Sequence, residues 1–227
     1  LFTNVGLLPA AIAGLDIGAL LSGAASVAED LQQAKTADSF APAIGAALQY
    51  DAMRAGRNMS VMLPYAQRLE GFSSWYRQSW AESLGKAGKG TTPIRAVGST
   101  DQHSQLQLYL DGPRDKFFTM ILMNRRGTGQ AIGKLDDREL SYISDKTTGD
   151  VLAAEQQATL ATIAATGAPV RVMELDKLDE AALGSLLAHF TLEIICMAAL
   201  LEVNPFDQPA VEEGKRLARN YLLGKTA

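Results

Sequence analysis

Four short apolar runs recur between longer helical stretches, at residues 60–63 (SVML), 93–97 (PIRAV), 117–123 (FFTMILM) and 169–175 (PVRVMEL). Side chains alternate between the two faces of a strand, so a run that is apolar throughout must be covered on both faces. Helices connecting parallel strands supply that cover, and the spacing therefore predicts an α/β fold, a parallel sheet sandwiched by helices. Between the first two runs, Leu69, Phe72, Trp75 or Tyr76, and Trp80 recur at helical spacing with arginine and glutamate opposite. That pattern predicts a crossover helix over 65–84 whose aromatic stripe faces the core; no basic residues interleave it as a nucleic-acid stacking platform would require. Helices are expected again at 151–166, 179–201 and 209–223. No linker divides the chain, so residues 1–58 read as leading helices, 59–175 as the sheet core and 176–227 as carboxyl-terminal helices, all in one elaborated domain.

Composition narrows the function classes. The chain has 227 residues, a formal charge of −4 and 47% hydrophobic residues, with a pI near 5.3. Such a surface does not suit phosphate neutralisation along a nucleic acid. Cys196 is the one cysteine, which excludes an internal disulfide or a cysteine zinc site and points to a reducing cytoplasm. With only His103 and His189, a multi-histidine metal centre is excluded too, and neither a metal nor a cofactor is expected. Residues 5–28 are nearly uncharged, but Gly14, Gly18, Ser22, Gly23 and Ser26, the early Pro9 and the lack of basic flanks argue against a membrane span; the expectation is two buried, alanine-rich helices. The chain opens on Leu1 without a methionine, as part of something longer would.

The glycine-rich stretches imitate nucleotide motifs without meeting them. In GKAGKGTT (85–92) Lys89 is followed by Gly90 and the segment precedes a strand, so it reads as a flexible turn. Gly127, Gly129 and Gly133 miss the dinucleotide fingerprint by one residue. Three polar constellations are more informative. Gly98-Ser99-Thr100-Asp101-Gln102-His103-Ser104-Gln105 follows the second strand directly, at a carboxyl end where parallel sheets bind ligands; Ser99, Thr100 or Asp101 can also simply cap the next helix. His189 and Glu193 share a helix face at i, i+4, either as an oriented acid/base pair or as an ordinary contact. In NPFDQPAVEEGK (204–215), Asp207 is an N-cap candidate with Pro209 in the first turn, while Gln208 and Lys215 project from one side and can line a pocket wall.

That last segment, preceded by AALLEV, resembles the carboxyl-terminal signature of the phosphoglucose isomerases. Ala198, Leu200, Leu201, Phe206, Asp207, Gln208, Ala210, Val211, Glu212 and Lys215 all fall where the family pattern allows. STDQHSQLQLYLDGP resembles the family's Gln-His active-site segment, and VGLLPAAIAGLD the stretch after its Gly-Gly-Arg signature. The resemblance implies a sugar isomerase (SIS) domain with a five-stranded parallel sheet, in an enzyme that interconverts glucose 6-phosphate and fructose 6-phosphate through an enediol. It also implies a sugar phosphate substrate, a homodimer whose sites form across subunits, and an amino-terminal half, absent from this sequence, that carries the phosphate-binding loop.

The same resemblance distributes roles. Lys215 matches a lysine of ring opening and Gln208 a substrate-contacting glutamine, while His189 lies about one to two helical turns from the ring-opening histidine. Aligning Gln102 and His103 puts Ala96 where familiar members carry the proton-shuttling glutamate. Asp101 is then the nearest carboxylate for the shuttle and Glu193 the second, with Gln102 and His103 holding the sugar. The competing readings are a sugar-phosphate-binding or regulatory domain that lost its chemistry, and a folded but inert fragment.

Overall fold

The four runs pair as one parallel sheet. The computed structural model describes residues 1–225, with β1 at Met59–Pro64, β2 at Thr92–Arg95, β3 at Lys116–Met123 and β4 at Val170–Leu175. The order is β2-β1-β3-β4, and every neighbouring pair is parallel, with Val61 opposite both Ile94 and Phe118, and Phe118 opposite Val170. The resemblance implied five strands, but the described residues form four: after β4 the chain turns straight into helix, and no further apolar extended run exists to extend the edge. Apolarity on both faces holds for the central strands, since β3 is buried at every position. It fails at the edge, where Val172 and Glu174 of β4 are exposed because nothing pairs or packs beyond them.

Strand periodicity sorts the core into two layers. Met62, Ile121 and Met123 face one side with Ala46, Phe72, Tyr76, Trp80, Phe190 and Met197, so this side is covered by α3 (Ala41–Arg54), α4 (Glu70–Leu84) and α7 (Glu180–Leu201). Val61, Leu63, Phe118, Met120 and Leu122 face the other side with Tyr109 and Ile163, from α5 (Thr100–Asp111) and α6 (Thr148–Ala165). The predicted aromatic stripe of α4 is therefore core. Its helix starts later than the pattern implied, after a 3-10 turn at Gln67–Leu69.

α7 is predominantly apolar and, by length and composition alone, long enough to cross a membrane. Here it lies between the sheet and the outer helix α2 (Ile17–Gln33), and Asp179 caps its start by accepting a bond from the Ala182 amide at 2.9 Å. Two glycines set how closely α2 and α7 approach: a Cβ at Gly23 would meet the Ala181 carbonyl oxygen at 1.9 Å, and one at Gly184 that of Leu20 at 2.0 Å. The expectation of two buried leading helices is corrected. α2 buries only Leu20, Gly23 and Val27, and α1 (Asn4–Ile12) buries nothing, with Val5 87% exposed, because no element among the described residues covers its outer face. The carboxyl-terminal helix α8 (Glu212–Leu222) likewise buries no residue.

Candidate functional site

The connections set which polar residues share an end of the sheet. α4 runs antiparallel to the strands: Arg95 at the carboxyl end of β2 reaches Glu70 at the helix start, at 2.8 Å, while the Trp80 indole N–H donates to Thr91, just before β2, at 2.9 Å. The last turn of α4 therefore lies at the amino ends of the strands. α7 runs the same way, and the Lys89 ammonium, in the loop before β2, donates to the Leu201 carbonyl at 2.7 Å.

At the carboxyl ends sits the Gln-His segment. Tyr65 leaves β1 fully buried and its hydroxyl donates to Gln102 Oε1 at 2.7 Å. Gly98 crosses the face of that ring so closely that a Cβ would lie 2.7 Å from three ring carbons. Asp101 accepts from the Val97 amide at 2.8 Å through one oxygen and from the Ser104 hydroxyl at 2.9 Å through the other. Both oxygens are engaged in holding the start of α5. Ser99 occupies the N-cap position but makes no side-chain cap bond. His103 is exposed on the first turn of α5.

At the amino ends sits the carboxyl-terminal signature. Gln208 donates to Glu82 Oε2 at 2.9 Å, and Gln78, one turn earlier on α4, donates to the other oxygen at 3.0 Å. Glu82, Lys86, Gln208 and Val211 line a cleft of about 330 Å³. The segment 85–92 is not the free turn the sequence implied. Lys86 bonds the Ser83 carbonyl at 3.0 Å and the Asn204 carbonyl, and pairs with Asp207 at 3.2 Å. This pairing also corrects the cap assignment: Asp207 binds Lys86, and Gln208 precedes a 3-10 turn, Pro209–Val211. That turn separates Gln208 from α8, so Lys215 is 69% exposed and pairs with Glu212 at 2.7 Å.

The His189 and Glu193 pair belongs to neither cluster. Glu193 is fully buried; its carboxylate accepts from Arg171 of β4 at 2.7 Å, from Gln49 of α3 at 3.1 Å, and meets His189 Nε2 at 3.2 Å. Gln49 in turn accepts from Ser60 at 2.7 Å, which meets Tyr76 at 2.8 Å, and Arg171 also donates to Thr119 at 3.0 Å. Burial alone would raise the Glu193 carboxyl; the charge of Arg171 and the bonds from His189 and Arg171 outweigh it and hold the group below the usual carboxylate range. α3 can lie over this network because residue 45 is glycine: a Cβ there would meet Arg171 at 2.2 Å and Glu193 at 2.5 Å.

The structure thus gathers Gln102, His103 and Asp101 at one end, Gln208 at the other, His189 and Glu193 beneath the sheet, and Lys215 on an outlying helix. Sequence reasoning missed Glu82. Its only local signal is the i, i+4 pair with Gln78 on the polar face of α4, which reads as a solvated helix side; its other partner is remote in the chain.

Comparison with known proteins gives these clusters a setting. No family model matches the chain. It is 43% identical over 97% of its length to a protein of Haloarcula marismortui named probable glucose-6-phosphate isomerase, covering 50% of that protein. It is 45% identical over 94% of its length to the Rubrobacter xylanophilus glucose-6-phosphate isomerase, again covering 50%. Among solved structures, a Thermus thermophilus protein described only as hypothetical superposes with a TM-score of 0.89 at 35% identity, over 97% of this chain and 54% of that one. A glucose-6-phosphate isomerase of Chlamydia trachomatis shares the fold with a TM-score of 0.74 at 21% identity, over 90% and 42%. The chain spans about half the length of the curated relatives it matches, and over that half it is a relative of the glucose-6-phosphate isomerases.

Proposed function

We propose that the chain is the carboxyl-terminal half of a glucose-6-phosphate isomerase, a sugar isomerase (SIS) domain that supplies part of the site converting glucose 6-phosphate to fructose 6-phosphate. The reaction opens the sugar ring and then moves a proton between C2 and C1 through an enediol, both steps being general acid/base chemistry. The observation that carries the proposal is the Glu82 carboxylate, exposed to a cleft and held on both oxygens by side-chain amides, Gln208 and Gln78. Amide donors orient a carboxylate without neutralising it, as a proton-shuttling base needs.

Glu82 therefore takes the role first considered for Asp101 and Glu193. Both oxygens of Asp101 serve the start of α5, and Glu193 is sealed under the sheet with Arg171. Glu82 lies 14 residues before Ala96, where the resemblance had placed the family's glutamate, so its role is argued from the geometry of the cleft. Gln208 positions the base, and Gln102 and His103 hold the sugar from their own end of the sheet. Lys215 and His189 retain their ring-opening roles only through movement of α8 and of the core, and His103, with its exposed imidazole, is the better acid.

Glu82 and His103 lie at opposite ends of the sheet, whose central strands β1 and β3, at six and eight residues, span about 20–26 Å. A single sugar phosphate does not bridge them within one chain, which supports a homodimer in which one subunit's His103 meets the other's Glu82. The phosphate grip belongs to the amino-terminal half of the same polypeptide, and the setting to the reducing cytoplasm. Complementation tests this: in the full polypeptide, Glu82→Gln and His103→Ala homodimers are each inactive, while co-refolded mixtures regain roughly a quarter of wild-type activity, since half of randomly paired dimers are mixed and carry one intact site. Mixtures as inactive as the parents would refute the shared site.

A further inference from the structure

Beyond β3 and β4, at their carboxyl ends, the chain encloses a cleft of about 230 Å³ that shares no residue with the clusters described above and is lined in part by Asn124, Arg125, Arg126, Gln157, Glu174 and Asp176. Its floor is fixed. The Gln156 side chain donates to the Met123 carbonyl at 2.9 Å and accepts from the Met123 amide at 3.3 Å, so both backbone groups of the last residue of β3 are already satisfied. The turn that carries the arginines is fixed as well: the Thr128 hydroxyl donates to the Arg125 carbonyl at 2.7 Å, and Gly127 N–H donates to Asp150 at 2.9 Å.

The guanidinium groups, by contrast, are unspent. Arg125 Nε is buried and has no hydrogen-bond partner, although buried donors are nearly always paired. Neither Arg125 nor Arg126 forms an ion pair among the described residues, even though Glu174 and Asp176 line the same cleft. Two guanidinium forks on a fixed turn match the oxygens of a phosphate group, which they bind through paired, charge-assisted hydrogen bonds. The acidic side of the cleft has no use for a bare anion, but it accepts hydroxyl hydrogens. We propose that this cleft binds a small phosphorylated polyol, its phosphate on Arg125 and Arg126 and its hydroxyls on Glu174 and Asp176.

The test is calorimetric titration of the full polypeptide with inorganic phosphate, comparing wild type with Arg125→Gln/Arg126→Gln and with Arg125→Lys/Arg126→Lys. Beside the event at the reacting site, which all three proteins keep, the expected result is a second phosphate-binding event in wild type that weakens by at least about tenfold in the glutamine variant and less in the lysine variant, which keeps the charge but loses the fork. The Michaelis constant for fructose 6-phosphate should stay within about twofold, since no residue of the Glu82 or Gln-His cluster is touched. Superimposable isotherms for wild type and the glutamine variant would overturn the proposal. So would a parallel rise in the Michaelis constant, which would make the arginines part of the reacting site. Should the glutamine variant fail to fold, the lysine variant and Arg126→Gln alone carry the same comparison.

Discussion

Replacing Arg171 with methionine leaves the Glu193 carboxylate sealed beneath the sheet without its main counter-charge. Glu193 is fully buried and the Arg171 side chain only 12% exposed, so water cannot replace the lost partner. Removing one member of such a pair costs about 3–5 kcal/mol, because the remaining charge stays desolvated. The methionine stem fills much of the space between Phe117 and Phe190, over whose rings the guanidinium sits at 6.0 and 5.2 Å, which keeps the packing loss small beside the electrostatic one. The pH dependence has a definite sign. In wild type the carboxyl lies below its unfolded value, so its contribution is present above about pH 4.3 and is lost as pH falls through the folded value. In Arg171→Met, burial dominates and raises the folded value, so the variant is worst at neutral pH and its deficit shrinks as Glu193 takes up a proton. Urea denaturation at pH 7 and pH 5 reads this directly. A deficit below about 1 kcal/mol at pH 7, or one that grows on acidification, would show that Glu193 does not depend on Arg171 for its charge, as would failure of Arg171→Met/Glu193→Gln to recover much of the loss.

Two further substitutions probe the same framework. Gly45→Ala drives a methyl group into the Arg171 and Glu193 contact, and the overpacking should cost about 1–3 kcal/mol in urea denaturation. Asp101→Asn keeps the shape but loses the negative charge in the first turn of α5, lowering stability by about 0.3–1 kcal/mol while solvent deuterium still enters fructose 6-phosphate; loss of that exchange with stability intact would return the base role to Asp101.

Legibility in the sequence followed the range of the interactions. β3 was readable because its buried positions 117–123 are apolar except for Thr119, and α4 because its aromatic residues keep helical spacing. Edge effects were not: Val172 looks like any core valine until one knows that no strand pairs beyond β4. The long-range polar contacts were invisible for the same reason. Nothing local ties Glu82 to Gln208, Lys86 to Asp207, or Gln49 and Arg171 to Glu193, so the i, i+4 pair at His189 stayed open between chemistry and an ordinary contact while Glu82 passed as part of the polar face of α4. The glycines at 23, 45 and 184 read as weak helix positions, whereas each marks a place where backbone or a buried charge comes too near for a Cβ.

The proposed function requires the Glu82 carboxylate to move the proton between C2 and C1. Its most direct test is the rate at which deuterium from solvent enters fructose 6-phosphate, measured by proton NMR on the full polypeptide with Glu82→Gln, which keeps both the shape and a partner for Gln208. A fall of about 10²–10⁴-fold is expected, with substrate still bound and the melting temperature unchanged; exchange within about tenfold of wild type would contradict that role.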